Sequence, residues 1–445
     1  MKVPRLRAKL LASLLAAATT FAAHATTAPP TIEQWQMGTD TVFLLEDHRT
    51  PLVHVRLEFP VGNWSAWAHD NHAADAFSIQ AYDPERRLLA RADRLGVELD
   101  VGMATVSAWL QATCLAEDTG ALLTLMRDVL ANRDFDTSEL GRWHQQRDLA
   151  WDANRKDPQF TLTQASARLL LAEDDPRRRP WEEPAGGTTN EARLVSARDA
   201  VVRVPGRVIA VSGSIGRAGV EPLLDGFLPP PQPLPGETLT TTATERHETL
   251  QTMRPPAARP DETTVTLPRL TQVYLALVRD APPRHHPDYP AFQIASHVLT
   301  GHFYSRMYVA LRHDAGETYT VSARSYGTIH RPLVHTIRTF THTANAGRTE
   351  RIFRDTLATF HAEGITEDER NDAVGNLTGR RLFQRQTPRR ILAEHLTERR
   401  LAFPEGLFES LPTRAAALSL SDINAFIERF YDPVQFRLVR VEAED

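Results

Sequence analysis

Two stretches of the chain alternate apolar and polar residues in a way that predicts strands. From Leu52 to Phe59 the run LVHVRLEF puts Val53, Val55, Leu57 and Phe59 on one face, the period of two expected of a half-buried strand. From Gln272 to Val278 the run QVYLALV opens a second. Downstream of each comes a helical pattern, a short break and a second, capped helix. These lie at 121–130 and 135–140 in the first half, and at 351–360 and 364–369 in the second. Asp136 and Thr366 are good N-caps, and Glu139 and Glu369, three residues on, complete a capping box in each. Each half then closes on a strand, at 207–212 and at 436–441.

A segment rich in proline separates the halves. Residues 227–268 contain Pro229, Pro230, Pro231, Pro233, Pro235, a threonine run at 240–242, Pro255 and Pro256. Such a stretch cannot continue a helix and favours an extended connector. A repeat of roughly 225 residues is too long for a solenoid. The pattern predicts an α+β fold of two homologous domains, 26–226 and 269–445. Each would be a mainly antiparallel sheet covered by helices on one face.

The first 25 residues read differently. Lys2, Arg5, Arg7 and Lys9 precede an apolar run from Leu10 to Ala23, and Ala23-His24-Ala25 offers a cleavage site. This is the pattern of a signal peptide, which predicts a periplasmic or secreted protein. The apolar run is too short to cross a bilayer, so no membrane span is expected after its removal. The remaining 420 residues carry 51 − 4 = 47 basic and 56 acidic side chains, a formal charge of 47 − 56 = −9, which argues against a nucleic-acid partner. Hydrophobic residues at 42% and charged ones at 24% describe a globular protein. Cys114 is the single cysteine. It can form no internal disulfide, and it sits in a strand-like run that suggests a packed thiol.

The chemistry-bearing motif lies at 299–323, LTGHFYSRMYVALRHDAGETYTVSA. Phe303, Met307 and Leu311 recur every four residues, as on the buried stripe of a helix, and Gly316 is placed to end it. Arg312 falls at the helix end and Tyr319 at the start of the next strand. With Thr300-Gly301 ahead of the helix, Ser305-Arg306-Met307 and Leu311-Arg312 within it, this motif resembles the second-half motif of the pitrilysin/insulinase family of zinc peptidases. The resemblance runs from about Trp35 to Val441. It implies that Arg312 and Tyr319 face a substrate chamber, hydrogen-bond the peptide backbone and stabilise the carbonyl oxygen as charge develops on it. Glu317 departs from the leucine usual in the family.

The same resemblance directs attention to an H-x-x-E-H zinc motif in the first half. There His72 aligns with the first histidine, Asp75 with the glutamate and Ala76 with the second histidine. The third-ligand segment ends as expected in Asp157-Pro158, but its nearest carboxylate is Asp152 rather than a glutamate. Alanine cannot bind metal, so no cofactor is expected in this chain. A different site remains open: His69, His72 and Asp75 at i, i+3 and i+6 of one helix, with His69, His72 and Asp152 as an unorthodox ligand set. Elsewhere neither H-x-x-E-H, H-E-x-x-H nor a paired CxxC occurs, and His285-His286 between prolines reads as a loop.

Some members of this family are built from two chains, one with zinc and one that lacks the motif and keeps the Arg/Tyr pair. The resemblance implies the second kind. The chain would be the non-catalytic, substrate-binding subunit of a two-chain zinc endopeptidase, one half of a clamshell around a peptide. Its partner in the heterodimer would carry an intact H-x-x-E-H and the zinc. An autonomous metallopeptidase and a purely structural scaffold subunit are the alternatives.

Overall fold

The structure is a computed structural model that describes residues 31–70, 72–78, 87–133, 137–183, 190–235, 259–326 and 333–444. The first half forms a six-stranded sheet from β1 (Glu33–Met37), β2 (Asp40–Glu46), β3 (Leu52–Phe59), β4 (Asp100–Met103), β5 (Ala108–Leu115) and β6 (Val208–Gly213), in the order β1-β2-β6-β3-β5-β4. The second half forms a five-stranded sheet from β7 (Glu262–Leu267), β8 (Gln272–Ala281), β9 (Val321–Tyr326), β10 (Leu333–His342) and β11 (Arg437–Ala443), in the order β7-β11-β8-β10-β9. The two sheets have one topology. In the first, β6 lies between β2 and β3 and pairs with β2 in parallel; in the second, β11 lies between β7 and β8 and pairs with β7 in parallel, and the first sheet has β1 in addition at its edge. All other pairings are antiparallel. The expected architecture is borne out as two mixed sheets covered by helices.

The main helices are α1 (Ala66–Asp70), α2 (Ala73–Ser78), α3 (Thr119–Ala131), α4 (Thr137–Asn154), α5 (Pro158–Leu170), α6 (Glu191–Arg203), α7 (Tyr289–Thr300), α8 (Arg306–Tyr308), α9 (Ala346–Glu363), α10 (Glu367–Gln384), α11 (Pro388–Arg400) and α12 (Leu420–Phe430). The alternation read in β3 has the predicted consequence. Val53, Val55, Leu57 and Phe59 are fully buried against the first half's own helices, with Leu122, Leu125 and Val129 of α3. Leu275 and Leu277 of β8 do the same against Phe353 and Leu357 of α9 and Ile423 of α12. Thr366 and Glu369 form the expected capping box of α10. Asp136 lies outside the described residues, and so does the presumed signal peptide.

The opposite face of each sheet holds a feature that local pattern does not reveal. Helix α5 belongs to the first half, yet Leu162, Ala165, Leu169 and Leu170 pack on Ala276, Val278, Val334, Val439 and Val441 of the second sheet. Helix α11 belongs to the second half, yet Ile391, Leu392 and Leu396 pack on Phe43, Leu45 and Ala210 of the first sheet. The halves therefore exchange one helix each, and every sheet is covered on both faces. A polar contact closes the exchange. Arg400, the last residue of α11, reaches Glu58 of β3 at 2.7 Å and Ser107 Oγ at 3.0 Å. At the same end of the first sheet Asp40 and Arg207 are buried as a bidentate pair, both contacts at 2.7 Å. Arg207 also donates to the carbonyls of Val202 and Pro229, which fixes the chain where it leaves the first half.

One expectation needs adjustment. The connector is shorter than 227–268. Phe227 and Leu234 are buried in the first core, and 262–267 is strand β7, paired with β11. The alternating Thr264, Val265, Thr266 and Leu267 suit an edge strand better than a spacer; residues 236–258 are outside the described set. Cys114 lies in β5 as expected, and burial pushes its thiol up to about 11.

Two buried histidines give the fold an acid limit. His335 in β10 lies edge-on to Phe292 at 5.0 Å. Burial first, then the charge of Arg279, pushes its pKa down to about 3. His54 in β3 is pushed to about 3 by burial, then by Arg389 and Arg56. Unfolded histidine takes up a proton near 6.5, so the unfolded state binds more protons between those values. The stability these groups contribute is complete above pH ~6.5 and falls as pH drops toward 3. For two groups the slope reaches about 2.7 kcal/mol per pH unit. Denaturant midpoints at pH 7 and pH 5 should show this loss, and His335→Gln should make it shallower. Independently, Leu162→Ala and Leu392→Ala should each cost about 2–5 kcal/mol. Each should lower the midpoint of a single shared transition, because each removes packing from the other half's sheet; two separated transitions would contradict the exchange.

Candidate functional site

The motif at 299–323 folds into a short helix, α8, that runs on into a wide turn of π-helix at Val309–Asp314. Such turns recur at functional positions because they displace one residue from the helical register. Met307 and Leu311 are buried as expected. Phe303 is not: it is 63% exposed, because the helix begins only at Arg306 and position 303 precedes its period. The helix is clamped from outside, with Arg306 donating to Glu369 at 2.9 and 2.8 Å. Glu369 is thus both the capping-box residue of α10 and an anchor for α8. Gly316 adopts φ +67 and ends the segment.

Arg312 lies in the π turn, half-buried. Among the described residues no carboxylate pairs with it. Its guanidinium donates to the Tyr308 hydroxyl at 3.0 Å, and that hydroxyl donates to the carbonyl of Tyr319 at 2.9 Å. The guanidinium carbon is 5.3 Å from the Tyr308 ring centroid, 5.8 Å from Phe303 and 6.0 Å from Tyr319. The structure thus places the two residues singled out by the sequence beside each other, with Tyr308 as the bridge. Tyr319 is not in the strand, which starts at Val321, but in the loop before it, and is 79% exposed. Tyr304, also 79% exposed, and Phe303 extend the aromatic surface.

The loop that carries Tyr319 is held from beneath. Glu317 is buried and meets Arg348 at 3.0 Å and the Thr349 hydroxyl at 3.3 Å. Its backbone donates to Leu311 O and its carbonyl accepts from Thr341. A carboxylate at the site of a usual leucine is therefore compensated by a cation and a hydroxyl from α9. Sequence reading missed Tyr308 and Arg348, and saw Glu317 only as a departure. The signal available was the departure at Glu317, which calls for a buried partner.

The first-half cluster is arranged differently from the helix the sequence suggested. His72 is not helical; it occupies a turn with φ +55 between α1 and α2. The break removes the i, i+3, i+6 relation of His69, His72 and Asp75; the His69 side chain is outside the described residues. His72 Nδ1 is 3.2 Å from Asp75 Oδ2. Burial raises the Asp75 carboxyl above its ordinary value against the pull of His72 and Arg147. Both line a cavity of about 420 Å³ together with Arg147, Trp151 and Arg179. Arg147 lies 4.0 Å from Asp75, and Arg179 donates to the carbonyls of Asn63, Trp64 and Ser65. Two guanidinium groups thus line the space, with Glu182 and Glu183 completing its charged lining beside Asp75.

Ala76 is fully buried against Leu194 and Ala197. Asp152 is exposed and paired with Arg155 at 2.7 Å. It sits off the α4 face that lines the cavity, so the unorthodox set of His69, His72 and Asp152 does not come together around His72. Among the described residues no group of three His, Cys, Asp or Glu side chains is arranged to hold a metal.

Residues 227–377 match the family model described as Peptidase M16 inactive domain, M16 being the pitrilysin/insulinase family. In fold the chain is similar to the peptidase M16 inactive domain from Pseudomonas fluorescens, at 18% identity over 93% of this chain and 99% of that one, TM-score 0.77. It is similar to a protease from Helicobacter pylori, at 12% identity over 93% and 99%, TM-score 0.73. It is also similar to the periplasmic protease PqqL from Escherichia coli, at 12% identity over 94% of this chain and 48% of that one, TM-score 0.70; the chain spans about half of that protein. No curated protein matches in sequence. The resemblance read from the motif is thus borne out, by family match in 227–377 and by fold over nearly the whole chain.

Restoring the letters of the zinc motif should not restore a site. Asp75→Glu with Ala76→His would write H-x-x-E-H at 72–76. The new imidazole would press on Leu194 and Ala197, so the double variant should lose about 1–3 kcal/mol of stability and take up no stoichiometric zinc. Metal analysis showing one tightly held zinc per chain would contradict this account of the cavity.

Proposed function

We propose that this chain is the non-catalytic, peptide-holding subunit of a two-chain zinc endopeptidase. The observation that carries the reading is the state of Arg312. It is a guanidinium with no carboxylate partner among the described residues, fixed by Tyr308 and set among aromatic rings beside an exposed Tyr319. An arginine serving only its own helix would be paired; this one keeps most of its five N–H donors for something else. The Arg147 guanidinium near Asp75 and the buried Ala76 support the other half of the reading, that this chain does no metal chemistry itself.

In the assembled pair, the partner chain with H-x-x-E-H supplies the zinc that activates water. The residues of this chain hold the substrate. Arg312 donates to a peptide carbonyl, the Tyr319 hydroxyl donates to the oxygen on which charge develops, and Phe303 and Tyr304 offer apolar surface to neighbouring side chains. Fixed donors aimed at a developing charge are among the larger catalytic terms. The signal-peptide pattern at 1–25 supports a periplasmic or extracellular location for the pair. No helix among the described residues is long and apolar enough to cross a membrane.

The test is reconstitution with the related zinc-bearing chain and a peptide substrate. Arg312→Ala should lower kcat/KM by about 10²–10³-fold, and Tyr319→Phe by about tenfold, with the pair still assembled by gel filtration. Unchanged kcat/KM in both variants would leave the chain a scaffold and overturn the proposal.

A further inference from the structure

A second cleft lies between one end of the first sheet and the N-terminus of α11, the helix donated by the second half. Its volume is about 880 Å³, in the range of small-molecule sites. The sheet contributes His54 of β3 and Ser212 of β6 to its lining; the helix contributes Thr387, Arg389 and Arg390. His54 is 7% exposed and Ser212 2%. Yet His54 Nε2 and Ser212 Oγ have no partner at hydrogen-bond geometry. The other ring nitrogen, Nδ1, is engaged by Thr113 Oγ1 at 3.0 Å. Buried polar atoms are rarely left unpaired, and two on one wall of one cleft point to a missing partner.

The cleft is positively charged. Arg49 is committed to Asp47 through paired contacts. Arg389 makes no hydrogen bond or ion pair among the described residues, and Arg390 makes only a 3.5 Å contact with the carbonyl of Phe383. Three guanidinium groups and one carboxylate line the space, 3 − 1 = +2. Of the other arginines nearby, Arg381 is paired with Glu394 and Arg385 with Glu409, so the uncommitted charge is that of Arg389 and Arg390. Thr387 caps the thirteen-residue α11 through the Arg390 N–H, so the positive end of the helix faces the same space.

We propose that this cleft binds an oxyanion, a carboxylate or a phosphate, carried on a larger molecule. Arg389 and Arg390 supply the charge, and the Ser212 hydroxyl and His54 imidazole make the buried contacts. His54 is held neutral by burial, then by Arg389 and Arg56. Gln111 and the Ala112 backbone also reach the ring; in the tautomer in which Thr113 donates to Nδ1, the Nε2–H is available to an anion. Because the sheet belongs to one half and the helix to the other, an occupant ties the two together. The site is independent of the reading given to Arg312.

Calorimetric titration of the purified chain tests it with two probes: inorganic phosphate, and an unstructured peptide with a free C-terminal carboxylate compared with its C-terminal amide. At least one of the two anions should bind, weaken with added salt, and raise the melting temperature. Arg389→Ala, on an exposed side chain, should weaken binding about tenfold. Ser212→Ala should weaken binding while leaving the unliganded melting temperature unchanged or higher, since it removes an unpaired hydroxyl. Arg312→Ala should leave this binding unaltered. Binding of the free-acid peptide with loss for the amide assigns a carboxylate; binding of phosphate assigns a phosphate. No binding of either anion up to about 10 mM, or binding that neither Arg389→Ala nor Ser212→Ala weakens, would overturn the proposal.

Discussion

The exchange of α5 and α11 between the halves is the interaction on which the rest of the structure depends. A mixed sheet has two faces to cover, and each half's own helices lie over one. The other face of the second sheet, built from Ala276, Val278, Val334, Val439 and Val441, would be an exposed apolar patch without Leu162, Leu169 and Leu170. The same holds for Phe43, Leu45 and Ala210 without Ile391, Leu392 and Leu396. Patches of that kind are not left open in soluble proteins. Each half completes the other, and the Arg400–Glu58 contact sets the register of the donated helix. The two sheets are therefore fixed relative to each other.

Within that frame, two copies of one topology line their motifs differently. In the first half the space at the degenerate motif is lined by His72, by Asp75, Glu182 and Glu183 and by two guanidinium groups, and the position of a second ligand is packed apolar. In the second half a guanidinium is kept from any carboxylate and surrounded by rings, one of them fully displayed. Burying Glu317 beneath the loop is costly for a carboxylate, and Arg348 and Thr349 offset that cost. The loop is thereby stiffened on the side away from Tyr319. A rigid display of one cation and one phenol suits holding a chain in place more than reacting with it.

What could be read in the sequence was what is local. The alternation of Val53, Val55, Leu57 and Phe59, the Thr366–Glu369 box, and the order of strands and helices in each half depend on neighbours within a few residues. Arg312 and Tyr319 were legible as a motif because seven residues separate them. The rest depends on distance in the chain. The apolar stripe of α5 is that of any amphipathic helix, and nothing in it says which sheet it covers. Arg348 is 31 positions from Glu317, so the departure from leucine was visible and its compensation was not. The break at His72 depends on a left-handed backbone that its neighbours do not announce, and it dissolved the helical spacing on which an alternative metal site rested. Phe303 had the right period and lay one turn too early.

The account stands on the separation of holding from cutting. The most direct measurement is hydrolysis of an unstructured peptide by the purified chain alone, with its zinc content determined on the same sample. The account predicts no hydrolysis and no stoichiometric zinc. Hydrolysis abolished both by a chelator and by His72→Ala would contradict it.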